Sequence, residues 1–168
     1  MASHAIEKFE VVGNLTALNA ATANVAASAL GYSGKAAVDF DKVTSGSLYT
    51  AGVYVTYASP AKPYGSFGPS DYVELVFDPQ DLTNIASVSV RIGTNATNYL
   101  TRTWADSTLT ADRWNLCTAR LGAGTPTLLG CDFGNIGYLA VIVTFDATTN
   151  TLADMHVARV SLLEAGDA

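Results

Sequence analysis

Ser87-Val88-Ser89-Val90-Arg91-Ile92 alternates without a break: Val88, Val90 and Ile92 fall on one side, Ser87, Ser89 and Arg91 on the other. A period of two belongs to a strand, whose successive side chains leave opposite faces. Here one face belongs to a core and the other to water, as in an antiparallel sheet covered on one side. Working outward, the same pattern recurs at intervals of roughly ten residues, the rhythm of a sandwich or barrel. Upstream, Val38 and Phe40 alternate with Asp39 and Asp41, Val53, Val55 and Tyr57 alternate with Tyr54 and Thr56, and Tyr72–Phe77 reads as another strand. Downstream come Tyr99–Trp104, Arg113–Ala119, Tyr138–Phe145 and His156–Leu163. Tyr138–Phe145 is almost wholly apolar, which predicts a central strand buried on both faces. Ser59-Pro60, Lys62-Pro63-Tyr64-Gly65, Pro69, Asp78-Pro79-Gln80-Asp81 and Gly122-Ala123-Gly124 supply the turns, and no proline falls inside a predicted strand.

Leu15–Leu30 is the exception. Leu15, Leu18, Val25 and Ala29 have helical spacing, but Thr22 interrupts the stripe, and the recurring Thr, Asn and Ser compete with helix backbone bonding. The segment reads as an irregular Ala-rich arm or weak strand with at most a short helix. The expected organisation is one all-β domain, with residues 1–34 as N-terminal arm and first strands and residues 35–168 as a sandwich of two antiparallel sheets.

Composition narrows the functions. The 168 residues are 49% hydrophobic, which excludes disorder. Only 14% are charged, so Thr, Ser, Asn and Gly must build much of the surface. The net charge is −6 and the nine basic residues form no cluster, which argues against a nucleic-acid partner. No apolar run is long enough for a membrane helix. Met1–Lys8 lacks the basic start and apolar stretch of a secretory signal, giving the expectation of a protein kept inside the cell or released within an assembled particle.

A catalytic constellation is not legible. His156 lies in a predicted strand and His4 in a predicted tail. Gly31-Tyr32-Ser33-Gly34 lacks the spacing of a nucleophile elbow. Glu10, Glu74, Asp71, Asp78, Asp81 and Asp106 sit mostly at strand ends and turns, where Asp bonds locally. Cys117 and Cys131 have no metal-ligand spacing and read as two buried thiols or a single bridge across a short loop. The sequons Asn14-Leu15-Thr16 and Asn95-Ala96-Thr97 carry meaning only on a secretory route. No phosphate loop or dinucleotide fingerprint is present, so no cofactor is expected.

Aromatic residues are the positive feature: eight Tyr, six Phe and two Trp. Tyr54, Tyr57, Tyr99 and Trp104 lie on predicted strands or at their ends, where they form either a platform for sugar rings or part of a core or subunit interface. Trp114, in Arg113-Trp114-Asn115-Leu116, is assigned to the core.

The run Leu82–Gly93 with Asn98-Tyr99, then Trp114-Asn115, then Asn135-Ile136-Gly137-Tyr138-Leu139 and Ile142-Val143-Thr144-Phe145 resembles the carbohydrate-binding-module type of jelly roll. Domains of that type occur in bacterial extracellular enzymes and in tailed-phage virion proteins. The likeness covers roughly residues 35–163 and implies the jelly-roll fold more than a function. Many members carry a pair of aspartates for a structural calcium near the end. Here Ala158 and Arg159 stand in the corresponding stretch, and calcium is not expected there.

The small domain, the missing signal, the missing catalytic set and the low charge lead to the expectation of a non-enzymatic virion structural protein. A capsid decoration (cement) protein is the leading form. Its expected partners are the major capsid or other virion proteins and further copies of itself, a trimer among the candidates. Residues 15–30 and 58–71 would reach across to neighbours. The alternative is a carbohydrate-binding module that recognises a glycan through surface aromatics. An enzyme on the same sandwich finds no support in the residues.

Overall fold

The computed structural model describes residues 3–7, 9, 12–57, 67–122 and 132–165. It is a sandwich of two antiparallel sheets, as the alternation predicts. Eleven strands are described: β1 (Ser3–Glu7), β2 (Thr16–Ala17), β3 (Thr22–Ala27), β4 (Val38–Lys42), β5 (Thr50–Thr56), β6 (Tyr72–Asp78), β7 (Ile85–Gly93), β8 (Tyr99–Ala105), β9 (Asn115–Arg120), β10 (Tyr138–Phe145) and β11 (Leu152–Leu163). One sheet runs β2-β5-β10-β7-β8. The other runs β3-β4-β11-β6-β9, with β1 paired to β11 beyond the end of β4. Neighbours in space are seldom neighbours in sequence, which is the jelly-roll signature.

The core lies between the sheets. Val88, Val90 and Ile92 of β7 meet Leu139, Val141 and Val143 of β10 and Val73, Leu75 and Phe77 of β6, all fully or almost fully buried. Each such side chain contributes about 1.5–3 kcal/mol by leaving water. β10 is the middle strand of its sheet and is buried almost throughout, as its apolar run predicts. β11 does the same for the other sheet, with a bulge between Val157 and Arg159 opposite β6. The extra residue, Ala158, lets Val157 and Val160 both face the core while His156 and Arg159 face outward.

Among the described residues, Lys42 and Arg102 are buried. The Lys42 ammonium donates to the carbonyls of Val43, Thr148 and Asn150 at 2.6, 3.0 and 3.2 Å, tying the β10–β11 turn to β4. Burial lowers its pKa. Arg102, on the core side of β8, donates from Nε to the Arg120 carbonyl of β9 at 2.7 Å. The Trp104 indole donates to the Thr118 carbonyl at 3.2 Å. Together they clasp the open edges of the two sheets to each other.

The Ala-rich segment takes its strand alternative: β2 and β3 sit in it, one in each sheet. Two expectations change. His4 belongs to β1, not to a tail. Trp114 is half-buried on the outside of the six-stranded sheet instead of lying between the sheets. Cys117 is a buried free thiol. Cys131, Glu10 and residues 58–66, with Ser59-Pro60 and Lys62-Pro63-Tyr64-Gly65, lie outside the described residues, as do Ala123 and Gly124.

Candidate functional site

Each sheet has one face in the core and one facing out, and the two outer faces differ. On the five-stranded sheet the outward positions follow from register. Thr56, Tyr138, Gly93 and Tyr99 form one row across β5, β10, β7 and β8. Tyr54, Ala140, Arg91 and Thr101 form the next, and Gly52, Ile142, Ser89 and Thr103 the one after. In the first row Tyr138 and Tyr99 alternate with Thr56 and Gly93. Tyr138 stands at the centre, 5.9 Å from the Tyr54 ring and 6.5 Å from the Tyr99 ring between centroids, with interplanar angles of 34° and 41°. The Arg91 guanidinium lies 4.7 Å from the centroid of the Tyr99 ring, a cation–π distance.

The three tyrosines and Arg91 are thus one assembly. Tyr138 is only 5% exposed, while Tyr54, Tyr99 and Arg91 are half-buried. Burial raises the Tyr138 phenol pKa, the Arg91 charge opposes that rise, and Tyr54 and Tyr99 add to it. Leu18 and Tyr54 pack at the flank of Ala140 and Ile142. Beyond the rings, the Ser89 and Thr103 hydroxyls bond each other at 2.9 Å. Gly93 is required here: a Cβ on it would stand 2.1 Å from the Asn98 carbonyl oxygen and 2.5 Å from the Tyr99 Cα.

Of the four aromatics singled out from the sequence, Tyr54 and Tyr99 share this face. Tyr57 and Trp104 do not. Tyr57 follows β5 on the parity of Val53 and Val55 and packs against the core. Trp104 is 9% exposed, with its indole between the sheets. Tyr138 and Arg91 complete the group, although sequence reasoning did not include them in it.

The outer face of the six-stranded sheet is occupied by the protein itself. The segment joining β3 to β4 folds back over it. Ser33 and Gly34 have φ of 52° and 72°, and Tyr32 and Lys35 exchange backbone hydrogen bonds of 3.0 Å across them. Two successive positive φ angles make a tight hairpin turn, so Gly31-Tyr32-Ser33-Gly34 is a turn and not a nucleophile elbow. It sets Tyr32 against Ala37, Val76, Ala158 and the edge of Trp114, 5.5 Å between centroids. Trp114 lies 6.2 Å from the ring of His156, itself 4% exposed. His156 Nδ1 is 2.8 Å from the Ser28 hydroxyl, which also bonds the backbone of Leu30. Arg159 forms a 2.7 Å ion pair with Glu74.

Three other carboxylates singled out from the sequence accept backbone hydrogen bonds. Asp71 accepts from the Gly68 and Ala165 amides, Asp78 from the Gln80 amide and Asp81 from Thr83. The Thr83 hydrogen bonds lower the Asp81 pKa. Asp106 opens a 3₁₀ turn after β8. Among the described residues, no group of three or more His, Cys, Asp or Glu is placed to hold a metal ion.

No protein-family model matches the chain, and no curated protein sequence matches it. Solved structures do. A family 30 carbohydrate-binding module superposes with a TM-score of 0.66 at 11% identity, over 98% of this chain and 100% of that one. The family 11 carbohydrate-binding module from Clostridium thermocellum, in complex with a β-1,3-1,4-mixed-linked tetrasaccharide, gives 0.64 at 10%, over 97% and 96%. A structure of carbohydrate-binding modules from the β-sandwich superfamily gives 0.61 at 14%, over 92% of this chain. This chain spans 59% of that one's length. At these identities the likeness establishes the architecture, and the chain has the jelly-roll β-sandwich fold seen in carbohydrate-binding modules.

Proposed function

We propose that the protein is a non-catalytic carbohydrate-binding module that holds a glycan along the outer face of its five-stranded sheet. The observation that carries this is the convergence of Tyr54, Tyr138 and Tyr99 with Arg91 on adjacent strands of one face. Sugar rings present C–H faces that pack on tyrosine rings and hydroxyls that bond phenol and guanidinium. An open sheet face suits an extended chain, whereas a small compact ligand is better enclosed by a deep pocket. The structural neighbours favour this reading over a capsid decoration protein, for which neither the fold nor the comparisons supply an observation.

The test is native affinity electrophoresis through gels containing soluble polysaccharides, with the protein and its Tyr54→Ala and Tyr99→Ala variants. Retardation by at least one polysaccharide is expected, weakened tenfold or more in each variant. Tenfold corresponds to about 1.4 kcal/mol, in the range of one well-placed contact aromatic. Retardation that both variants retain in full would place the glycan elsewhere and overturn the assignment of this face.

A further inference from the structure

Resting on that reading, we infer that the glycan is anionic, a chain bearing carboxylate or sulfate groups, and that Arg91 is its anchor. The inference starts from charge placement. The outward strand positions of the five-stranded sheet are Thr, Gly, Tyr, Ala, Ile and Ser apart from Arg91, and none is Asp or Glu. In a chain of net charge −6 the acids lie elsewhere. Asp39, Asp41, Glu74 and Asp78 belong to strands of the other sheet. A neutral polysaccharide offers hydroxyls, which carboxylates accept from well, yet the outward strand positions hold no carboxylate. They hold one permanent cation, Arg91.

That cation is held ready for an anion. Among the described residues the ion pair is Arg159–Glu74, and no carboxylate partners Arg91. The Arg91 Nε is buried and has no hydrogen-bond partner. The half-buried guanidinium lies over the Tyr99 ring, and a guanidinium edge matches two oxygens of a carboxylate or sulfate at once. The flanking tyrosines would take the sugar rings on either side of the charged group.

The test compares three polymers in the same electrophoresis and by calorimetry: polygalacturonate, the same polymer with its carboxyls reduced to alcohols, and dextran sulfate. Polygalacturonate or dextran sulfate is expected to bind at least tenfold more tightly than the reduced polymer. The margin should shrink as salt is raised. Arg91→Gln is expected to remove that margin, so that the acidic polymer binds no more tightly than the reduced one. Arg91→Lys, which keeps charge and stem but loses the fork, should be intermediate, and the melting temperatures of both variants check that the fold is intact. Whichever anionic polymer keeps the Arg91-dependent margin identifies carboxylate or sulfate. Equal binding of acidic and reduced polymers, unchanged in Arg91→Gln but lost in Tyr54→Ala, would overturn the anionic inference and leave the glycan-binding face standing. No binding of any polysaccharide would remove both.

Discussion

The two outer faces are built from similar materials and put to opposite uses. Each carries aromatic residues and an arginine stacked on a tyrosine: Tyr54, Tyr138, Tyr99 and Arg91 on one, Tyr32, Trp114 and Arg159 on the other. On the six-stranded sheet Tyr32 and Trp114 come from the loops beside it, the Ser28–Ala37 connection and the segment before β9, and act as a lid over His156, Val76 and Ala158, while Tyr72 of β6 lies at the end of that face against Arg120 of β9. Arg159 there is neutralised by Glu74. On the five-stranded sheet the aromatics come from strands β5 and β10 and the start of β8, and their arginine has no carboxylate among the described residues. Aromatics supplied by a loop close a face, while aromatics supplied by neighbouring strands pave one. Composition does not separate these cases; the element that supplies each ring does.

The contrast can be broken at several points. The largest expected effect is on the closed face: Trp114→Ala should cost about 2–4 kcal/mol of unfolding free energy, read from urea melts, with glycan affinity unchanged. A comparable loss of affinity would mean that the lid takes part in binding. Gly93→Ala comes next, at about 1–3 kcal/mol, because its Cβ displaces the Asn98–Tyr99 backbone. Binding should weaken with it, since Tyr99 moves. Tyr99→Ala should invert the Trp114 result, losing tenfold or more in affinity, about 1.4 kcal/mol, with a smaller change in the urea midpoint. The smallest effect concerns charge on the closed face. Burial raises the Asp39 pKa above 3.8, with His156 opposing and Asp154 and Asp41 adding to the rise. The folded state therefore holds this proton more firmly than the unfolded state, and the carboxylate costs stability above its folded pKa. Asp39→Asn should be slightly more stable than the parent at pH 7, and the gain should vanish as pH falls below about 4. A gain that grows on acidification would contradict that account.

Much of the fold was legible because alternation is a local signal. Each of the eight strands with a clear period of two or an apolar run is present. The bounds of β2 and β3, read only as a weak strand within an arm, were not legible because these strands are peripheral. β3 is an edge strand of small residues with only Thr22 buried, so no period marks it. The face of Trp104 stayed open between platform and core because Arg102 shares its parity and reads as outward, whereas Arg102 is buried with its charge on the Arg120 carbonyl. Tyr138 was hidden by its neighbours: in a run apolar on both sides, the face of a single ring cannot be read. Arg91 carried the right signal, an outward position beside Ser87 and Ser89, but its company depends on strand pairing between residues far apart in sequence.

The face assignment is most directly tested by titrating isotope-labelled protein with hexagalacturonate, and with cellohexaose as the neutral counterpart, following backbone amide and indole resonances. Shifts are expected to concentrate on Tyr54, Arg91, Tyr99 and Tyr138, with the Trp114 indole unmoved. Shifts centred on Trp114, Tyr32 and His156 would contradict the account and move the site to the closed face.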